Sequence, residues 1–409
     1  MPATFINTAK QQQAIRIINS CSTSLLEGGS RSGKTAIIIK LMLQRAMRSP
    51  DINQVVARLR FNHAKTSLWY DTIPKVARLL DIQQYMKYNS QDMFIEFPNR
   101  SRLWVAGTDD KDRVEKVLGQ EFATIFLNEV SQMSFDAYEL FRTRLNPPRG
   151  LKPRYLLDLN PCSTGHWIYK LFHGRKRPDG SMVEASEFKH IKMNPSDNLE
   201  NLSEDYIANL QLLSAAKRKR FLDGDYTSEE GSLWKRDWIK YKDIEKDQLT
   251  RIVLGVDPSG SRDGDEVGII IAGTDGKDYY ILDDFTLQAS PKEWGDETIH
   301  GYEKWMADCI AAEKNFGGEM VATTITDMGR RNVNVKLVNA ARGKIVRAEP
   351  ISAMYERGQV YHRKEFTMLE EEYCSFKGLP DEDSPNRLDA AVWALTELSE
   401  GCISMGDIL

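Results

Sequence analysis

Short apolar runs alternate with longer amphipathic stretches along the first half of the chain. Apolar runs of this length predict strands, and the stretches between several of them have the spacing of helices. Strands that alternate with helices favour a parallel α/β sheet with crossover helices. The predicted strands are Thr23–Leu26, Gln54–Arg58, Met93–Phe97, Arg102–Ala106, Ala123–Leu127 and Tyr155–Leu159.

A second α/β pattern begins at Arg251, after a polar, helix-rich stretch that contains the basic run Lys217–Arg220. Its first strands follow one another closely, which predicts an antiparallel meander. The predicted elements are strands Ile252–Asp257, Val267–Ala272 and Tyr279–Phe285, a helix Pro291–Asp308, a strand Cys309–Glu313, a helix near Asn332–Ala341, a strand Lys344–Ala348, and helices near Phe366–Phe376 and Pro385–Leu398. Antiparallel strands followed by alternating helices and parallel strands are the chain order of the ribonuclease-H-like fold.

Composition and charge are those of an ordinary globular protein. The chain has 409 residues and a formal net charge of −4, so any basic surface that binds nucleic acid must be local. The length predicts two or three domains. No apolar run approaches the roughly 20 residues that span a bilayer, Met1–Lys10 has no signal-peptide pattern, and the five cysteines form no CxxC pair. We therefore expect a protein of a reducing cytoplasm, without a disulfide framework or a zinc site.

Residues 28–35 read GGSRSGKT and satisfy the phosphate-loop motif GxxxxGK[ST] in full. The motif follows the first predicted strand and opens the apolar helical run Ala36–Leu43, which is the context that a phosphate loop requires. Lys34 would neutralise the β- and γ-phosphates, and the Thr35 hydroxyl would ligate Mg²⁺. The predicted ATP-binding residues of the loop are Gly28, Gly29, Ser30, Arg31, Ser32, Gly33, Lys34 and Thr35.

Two later strands end in residues that suit nucleotide hydrolysis. Glu129 follows the strand Ala123–Leu127 and would polarise the attacking water as general base. Asn128 stands where an aspartate usually supports Mg²⁺, and its amide oxygen can accept but carries no charge. Asn160, after the strand Tyr155–Leu159, is the candidate sensor of the γ-phosphate.

An arginine must meet the negative charge of the transition state. Arg31 lies inside the phosphate loop, whereas Arg142 and Arg144 lie on the stretch Tyr138–Leu145. The sequence does not choose among them, or between supply within the chain and supply from a neighbouring chain.

Carboxylates mark a second candidate site in the C-terminal half. Asp257 and Glu313 each end a predicted strand, and Asp389 lies on an apolar helix, where an uncompensated charge is costly. If the two strands are neighbours, these acids would cluster and bind a pair of Mg²⁺ or Mn²⁺ ions for phosphodiester cleavage. Asp265 is a candidate auxiliary ligand. Asp308 and Asp327 also lie near strand ends and stay open as alternatives.

A phosphate-loop domain joined to a ribonuclease-H-like domain resembles the large terminase subunit of tailed bacteriophages. The resemblance covers nearly the whole chain. It rests on the motifs GGSRSGKT, IFLNEVSQ, LDLNPCSTGHWIY, GVDPSG, AAEKNFGGEMV, GKIVRAEPI with MYERGQVYH, and SPNRLDAAVWALTEL. The fold it implies is an N-terminal P-loop (ASCE-type) ATPase domain with a parallel sheet in residues 1–193, a helical linker in 194–249, and a ribonuclease-H-like nuclease domain in 250–409.

The resemblance also implies activity, cofactors and partners. Lys34, Thr35 and Glu129 would carry ATP hydrolysis with Mg²⁺, and Asp257, Glu313 and Asp389 would be the nuclease acids, with Mn²⁺ able to replace Mg²⁺. Members of the family package double-stranded DNA into procapsids and cut concatemers. They act as a homo-oligomeric ring, usually pentameric, on the portal protein, with a small terminase subunit that selects the DNA. The implied location is the host bacterial cytoplasm, outside the mature virion.

Other interpretations of the residues stay open at this point. A transposase- or recombinase-like nuclease with an accessory ATPase would join strand ends as well as cut them, and a scaffold that only binds ATP would do neither. Basic residues could hold DNA phosphates or simply face solvent. They are Lys217, Arg218, Lys219, Arg220, Arg330, Arg331, Lys336 and Arg342.

Overall fold

The computed structural model describes residues 5–108, 119–213, 215–258, 266–313, 323–324, 333–338, 344–379 and 385–401. The chain divides into two compact units between Ser228 and Glu229. This boundary lies inside the segment 194–249 that the sequence predicts to be a linker. Among the described helices, none is both long and apolar enough to cross a membrane.

The N-terminal unit is built on an eight-stranded sheet with the order β3-β4-β5-β2-β6-β7-β1-β8. The antiparallel pairs are β3 with β4 and β4 with β5, and the other pairs are parallel. The strands predicted for this half are all present, and β3 and β8 are additional. The strands are β1 Thr23–Glu27, β2 Asn53–Arg58, β3 Lys87–Asn89, β4 Phe94–Glu96, β5 Arg102–Gly107, β6 Thr124–Leu127, β7 Arg154–Leu159 and β8 Phe188–Lys192.

Helices cover both faces of this sheet, and apolar residues from sheet and helices form two cores. Helix α2 buries Ile37, Ile38 and Met42 against one face, together with Leu156 of β7. Tyr155 and Leu157 of β7 belong to the core on the other face, as the period of two along a strand requires. The described helices are α1 Ala9–Ser20, α2 Lys34–Arg48, α3 Phe61–Ala64, which continues through a π-helical stretch Lys65–Thr72 into α4 Ile73–Leu79, α5 Phe135–Arg142, α6 Trp167–Phe172, α7 Glu204–Gln211 and α8 Ala215–Phe221.

The C-terminal unit is built on a seven-stranded sheet with the order β14-β13-β10-β11-β12-β15-β9. Strands β10, β11 and β12 form the predicted antiparallel meander, and β13 lies parallel to β10. The strands are β9 Lys240–Tyr241, β10 Arg251–Asp257, β11 Gly268–Thr274, β12 Tyr279–Asp284, β13 Cys309–Glu313, β14 Val335–Val338 and β15 Val360–His362. The described helices of eight or more residues are α9 Pro291–Trp305, α10 Lys344–Glu356, α11 Thr367–Ser375 and α12 Asn386–Gly401.

Two predicted elements of this unit are wrong. Residues near Asn332–Ala341 were expected to form a helix, but Val335–Val338 is strand β14, which pairs with β13. Lys344–Ala348 was expected to form a strand, but it begins helix α10. The longer window explains the second error, because Ala348, Ile351 and Tyr355 are buried at helical spacing.

Helix α12 packs directly on β10 and β11, and a glycine makes this approach possible. A Cβ atom on Gly255 would lie 1.9 Å from the backbone oxygen of Ala390. Only glycine leaves room for this contact. The helix therefore lies close enough to the sheet to hold Asp389 near the end of β10.

Candidate nucleotide and nuclease sites

The phosphate loop lies between β1 and α2, at the carboxyl edge of the N-terminal sheet. Gly33 caps the helix with φ of +85°, a left-handed conformation that favours glycine. Helix α2 then begins at Lys34 and carries Thr35 in its first turn. The loop glycine thus sets the direction in which the lysine and threonine side chains enter the site.

Lys34 lies at the centre of this site, and its side chain is buried. Its Nζ donates to the backbone oxygens of Gly28 at 2.8 Å and Gly29 at 2.6 Å, and to Ser32 Oγ at 3.1 Å. Burial lowers the pKa of the amine, and the nearby carboxylate of Glu129 acts in the opposite direction. The ammonium is therefore held at the inner wall of the loop, where a phosphate would meet it.

The structure brings the predicted hydrolytic residues together at this edge. Asn160 Oδ1 lies 3.4 Å from Lys34 Nζ, and Asn160 Nδ2 donates to Glu129 Oε1 at 3.2 Å. Glu129 has a left-handed backbone, with φ of 54°. This conformation is uncommon for a non-glycine residue and often marks a functional position. The side chain of Asn160 thus links the lysine to the candidate base.

Asp158 also belongs to this site, and the sequence analysis missed it. It is 1% exposed, and its carboxylate accepts from Thr35 Oγ1 at 2.6 Å, from Asn128 Nδ2 at 2.8 Å and from the backbone N–H of Glu129 at 2.9 Å. Burial, followed by the charge of Glu129, raises its pKa to about 6. The signal in the sequence was a charged residue inside an apolar strand, which is costly unless something offsets it.

Asn194, Asn198 and Phe221 contact the outer side of the phosphate loop. Asn194 Oδ1 accepts from the N–H of Gly29 at 3.0 Å, and the Phe221 oxygen accepts from the N–H of Ser30 at 2.8 Å. Asn198 Nδ2 donates to the backbone oxygen of Arg31 at 2.7 Å. The basic run Lys217–Arg220 lies on α8, directly before Phe221. The basic helix is therefore bonded to the loop through its last residue.

Two of the candidate arginines contact aromatic side chains of the same unit. The guanidinium of Arg31 lies 5.0 Å from the ring centre of Tyr206. Arg142 donates to the Tyr138 hydroxyl at 2.8 Å and lies 5.0 Å from the ring of Phe188. Arg144 is half-buried.

A buried carboxylate directly before the loop gathers two histidines. Glu27, the last residue of β1, bonds to His190 Nδ1 at 2.5 Å, to His173 Nε2 at 3.0 Å and to the Tyr226 hydroxyl at 2.5 Å. Burial would raise the pKa of Glu27, but these hydrogen bonds outweigh it and hold that pKa at about 2. The group ties β1 to β8 and to the chain after α8. Sequence reasoning missed it because its members lie far apart along the chain.

The C-terminal unit brings two of the predicted nuclease positions to one sheet edge. Val256 of β10 pairs with Ala312 of parallel β13, so the next residues, Asp257 and Glu313, follow at the same level. Asp389 on α12 is 7% exposed and lies 3.5 Å from Lys344 Nζ. Asp265 and the side chain of Glu313 lie outside the described part of the chain.

Asp308 and Asp327 were the alternative candidates for the nuclease site. Asp308 accepts from the N–H of Ile252 at 2.8 Å, near the beginning of β10 and therefore at the sheet edge opposite Asp257. Asp327 lies outside the described residues.

Near Asp389, the buried guanidinium of Arg387 bonds to Asp284 at 3.1 Å and to Glu372 at 3.2 Å. This pairing fixes the start of α12.

Two family models match the chain in succession. The model described as the phage terminase large subunit matches residues 21–245, and the model described as the terminase RNaseH-like domain matches residues 254–398. Neither model describes a transposase. No curated protein sequence matches the chain significantly.

Solved structures of large terminases resemble the chain over nearly its whole length. The large terminase of a thermophilic bacteriophage has a TM-score of 0.51 and 15% identity, with 96% of this chain and 100% of that chain covered. The complex of that phage protein with ADP has a TM-score of 0.49 and 14% identity, over 95% of this chain and 98% of that chain. The HK97 bacteriophage large terminase has a TM-score of 0.42 and 11% identity, over 96% and 95%.

At these identities the first of the structures shows a shared fold and no more. The match of one family model to more than half of the chain is the stronger finding. By that match, this chain belongs to the phage terminase large subunits, the ATPase and nuclease motors that package DNA.

Proposed function

We propose that the N-terminal unit hydrolyses ATP at the phosphate loop to drive double-stranded DNA into a procapsid, and that the C-terminal unit cuts the DNA at Asp257, Glu313 and Asp389. One observation carries the first half of this proposal. Lys34, Asn160 and Glu129 form a continuous hydrogen-bonded row beside Thr35, at the carboxyl edge of a parallel sheet. Ligands of open α/β sheets bind at that edge.

Each residue of the row has a role that its position supports. Lys34 neutralises the β- and γ-phosphates, and the first turn of α2 adds partial positive charge there. Glu129 accepts a proton from the attacking water, and Asn160 holds its carboxylate in place. Asn160 also contacts Lys34, so it can respond to the presence of the γ-phosphate. Because Asn160 directly follows β7, release of the γ-phosphate could shift this strand.

The oxygen atoms around Thr35 fit Mg²⁺. The hydroxyl of Thr35 and the carboxylate of Asp158 are hard oxygen donors within hydrogen-bond reach of each other, and Asn128 contacts both of them through its amide nitrogen. This donor set suits Mg²⁺, which is usually bound by few protein oxygens together with phosphate and water. When bound, the ion would offset the negative charge of the phosphates.

The C-terminal unit is proposed to use a pair of Mg²⁺ or Mn²⁺ ions. Support comes from the parallel pairing that places Asp257 and Glu313 at one edge and from α12, which brings Asp389 to the same strand. Carboxylates are the oxygen ligands that both ions prefer. Asp265 stays the proposed auxiliary ligand. The ions would activate water and stabilise the leaving oxygen of the phosphodiester.

Partners and location follow from the family and stay proposals here. We infer that the chain acts as a homo-oligomeric ring, with five copies as the expected number, on the portal of the procapsid. A small terminase subunit would select the DNA, and the work would take place in the host cytoplasm, outside the mature virion. Residues 194–249 are proposed to act as the linker subdomain, with α8 carrying basic residues toward DNA.

One experiment tests both activities on the same sample. The purified chain is incubated with plasmid and Mn²⁺, with and without EDTA, while ATP turnover is followed. We expect nicking and linearisation that EDTA abolishes, and ATP turnover that requires Mg²⁺ or Mn²⁺. Strand joining would instead favour a transposase, and a chain that neither cuts nor hydrolyses would overturn the proposal.

A further inference from the structure

Asp158 and Asn128 lie side by side on neighbouring strands. Strand β7 lies between β6 and β1, Leu127 pairs with Leu157, and Leu26 pairs with Asp158. The next residue after Leu127 is Asn128, which is therefore level with Asp158. The bond from Asn128 Nδ2 to Asp158 Oδ1, at 2.8 Å, confirms this pairing. The amide and the carboxylate thus occupy adjacent places along one edge of the sheet.

The carboxylate points to the face on which α2 begins. Leu156 belongs to the core that α2 covers, and the period of two along β7 puts Asp158 on the same face. Asp158 Oδ2 accepts from Thr35 Oγ1 at 2.6 Å, whereas Asn128 Nδ2 lies 3.5 Å from the same hydroxyl. The carboxylate is therefore nearer to the threonine than the amide is.

The charges of the site call for a cation at this point. Asp158 is buried, and its bonded partners are a hydroxyl, an amide and a backbone N–H, all of them neutral. Glu129 places a second carboxylate nearby, while Lys34 donates to loop oxygens, Ser32 and Asn160. Buried carboxylates are costly unless they are paired or coordinate a metal. Asn128 is neutral and cannot supply the negative charge that supports a bound cation.

We propose that Asp158 supplies the carboxylate that supports the Mg²⁺ of the bound nucleotide, in place of the residue at position 128. The function is kept although the charged residue has moved from the end of β6 to the adjacent strand β7. This inference rests on the proposed ATP site. Asp158 lies on β7, and Asn160 directly follows the same strand. The residue that supports the metal and the residue that senses the γ-phosphate would therefore be positioned by one strand.

A purely structural role makes a different prediction. Asp158 also accepts from the N–H of Glu129, so it could serve only to hold the backbone of that residue. Asp158→Asn keeps an acceptor oxygen for this bond but removes the charge. A structural acceptor would tolerate the amide, whereas a metal-supporting carboxylate would not.

The test measures the affinity of a fluorescent ADP analogue with Mg²⁺ and with EDTA. In Asp158→Asn we expect the gain in affinity that Mg²⁺ gives to fall about 10- to 100-fold, as for lost metal-site contacts. The affinity in EDTA should stay within about twofold, because the phosphate loop is intact. Asp136→Asn, at an exposed position of α5 in the same unit, is the matched control and should change neither value.

An exchange of the two residues sharpens the test. Asn128→Asp alone places two carboxylates in contact, and because a bound Mg²⁺ relieves their repulsion, this variant should keep or raise the Mg²⁺-dependent gain in affinity. The double variant Asn128→Asp/Asp158→Asn restores one carboxylate and one amide and should recover at least about tenfold of the gain that Asp158→Asn loses. This variant also keeps the pair's hydrogen bond if Asp158→Asn alone unfolds.

Two results would overturn the inference. One is Mg²⁺-dependent binding of Asp158→Asn equal to that of the unchanged protein, and the other is a double variant no better than Asp158→Asn. Failure of the ATP site itself looks different. In that case the analogue would bind the unchanged chain and Lys34→Ala equally in EDTA.

Discussion

The two units build their candidate sites at the same kind of place, the carboxyl edge of adjacent parallel strands, but only the first of them adds a cationic phosphate loop. In the N-terminal unit, the loop after β1 carries Lys34 and leads into a helix N-terminus, which together attract phosphate. In the C-terminal unit, Asp257 and Glu313 end two adjacent parallel strands, and we propose that these carboxylates bind metal ions. The sheet sets the position of each site, and the residues at the strand ends decide whether the site also binds phosphate.

The two sites also differ in what holds them in place. Around the phosphate loop, Lys34, Asn160, Glu129 and Asp158 belong to one hydrogen-bonded network that joins β6, β7 and α2. In the C-terminal unit, Asp389 is placed by the close packing of α12 on β10, which Gly255 permits. In the N-terminal site, loss of one side chain of the network should therefore mainly lower ATP turnover. In the C-terminal site, a change in the packing of α12 on β10 should also lower DNA cleavage.

The largest expected effect separates the two activities. Lys34→Ala should reduce ATP turnover at least about 10²- to 10³-fold, because the charge that stabilises the transition state is lost. Plasmid nicking in Mn²⁺ should stay unchanged. Arg48→Ala removes an exposed cation at the far end of the same helix, so it is the control and should keep ATP turnover. Unchanged turnover in Lys34→Ala would contradict the assignment of the loop.

The converse change should spare hydrolysis and remove cutting. Asp257→Asn is expected to lower plasmid cleavage at least about 10²-fold, since a neutral amide holds divalent ions poorly. ATP turnover should not change. Asp308→Asn is the matched control, because Asp308 lies at the opposite edge of the sheet. Cleavage that follows Asp308 rather than Asp257 would move the nuclease site to that edge.

Glu129→Gln tests chemistry against binding within the N-terminal site. It should lower the turnover rate about 10²-fold, the lower end of the range for a lost general base. Nucleotide affinity should change little, because Lys34 and the loop are untouched. The rate is measured by phosphate release under saturating ATP, and the affinity by titration of an ADP analogue. A variant that loses affinity in proportion to its rate would show that Glu129 acts in binding.

A smaller effect concerns acid stability of the N-terminal unit. Glu27 has a pKa of about 2 in the folded protein against 4.5 for the ordinary side chain. Its stabilisation is therefore complete above about pH 4.5 and is lost as the pH falls toward 2, with a full size on the order of 3 kcal/mol. The free energy of unfolding of Glu27→Gln should thus approach that of the unchanged protein as the pH falls from 6 to 3. Urea unfolding at several pH values measures both, and a pH-independent difference would contradict the prediction.

The smallest expected effect is on packing in the C-terminal unit. Gly255→Ala should lower the free energy of unfolding by about 1 to 3 kcal/mol, the usual cost of overpacking. Cleavage should fall with it, because α12 must shift and carry Asp389 away, while ATP turnover stays unchanged. Gly276→Ala is the control, because it lies at a turn where a Cβ atom would have only Thr250 nearby, at 4.0 Å. It therefore measures the cost of turn strain without crowding. Equal cleavage in Gly255→Ala would show that the helix position is not critical.

The amino-acid sequence by itself determined the phosphate loop, the main strands and the candidate acids at their ends. Apolar runs are local signals, and the motif at residues 28–35 needs only the elements on either side of it. Glu129, Asn160 and Asp257 could be found because each lies at or just after the end of such a run. The strand at Val335–Val338 and the helix that begins at Lys344 could not be predicted in this way. The pairing of β14 with β13 and the burial of α10 depend on partners far along the chain.

Tertiary structure alone decided which of these residues meet. Asp158 lies in the candidate nucleotide site because β7 lies between β6 and β1, and Glu27 meets His190 because β8 pairs with β1. Asp257 and Glu313 share an edge because β10 and β13 are parallel neighbours. The physical reason is common to all three, because the order of strands is set by burial of the whole core and not by the residues that flank each strand.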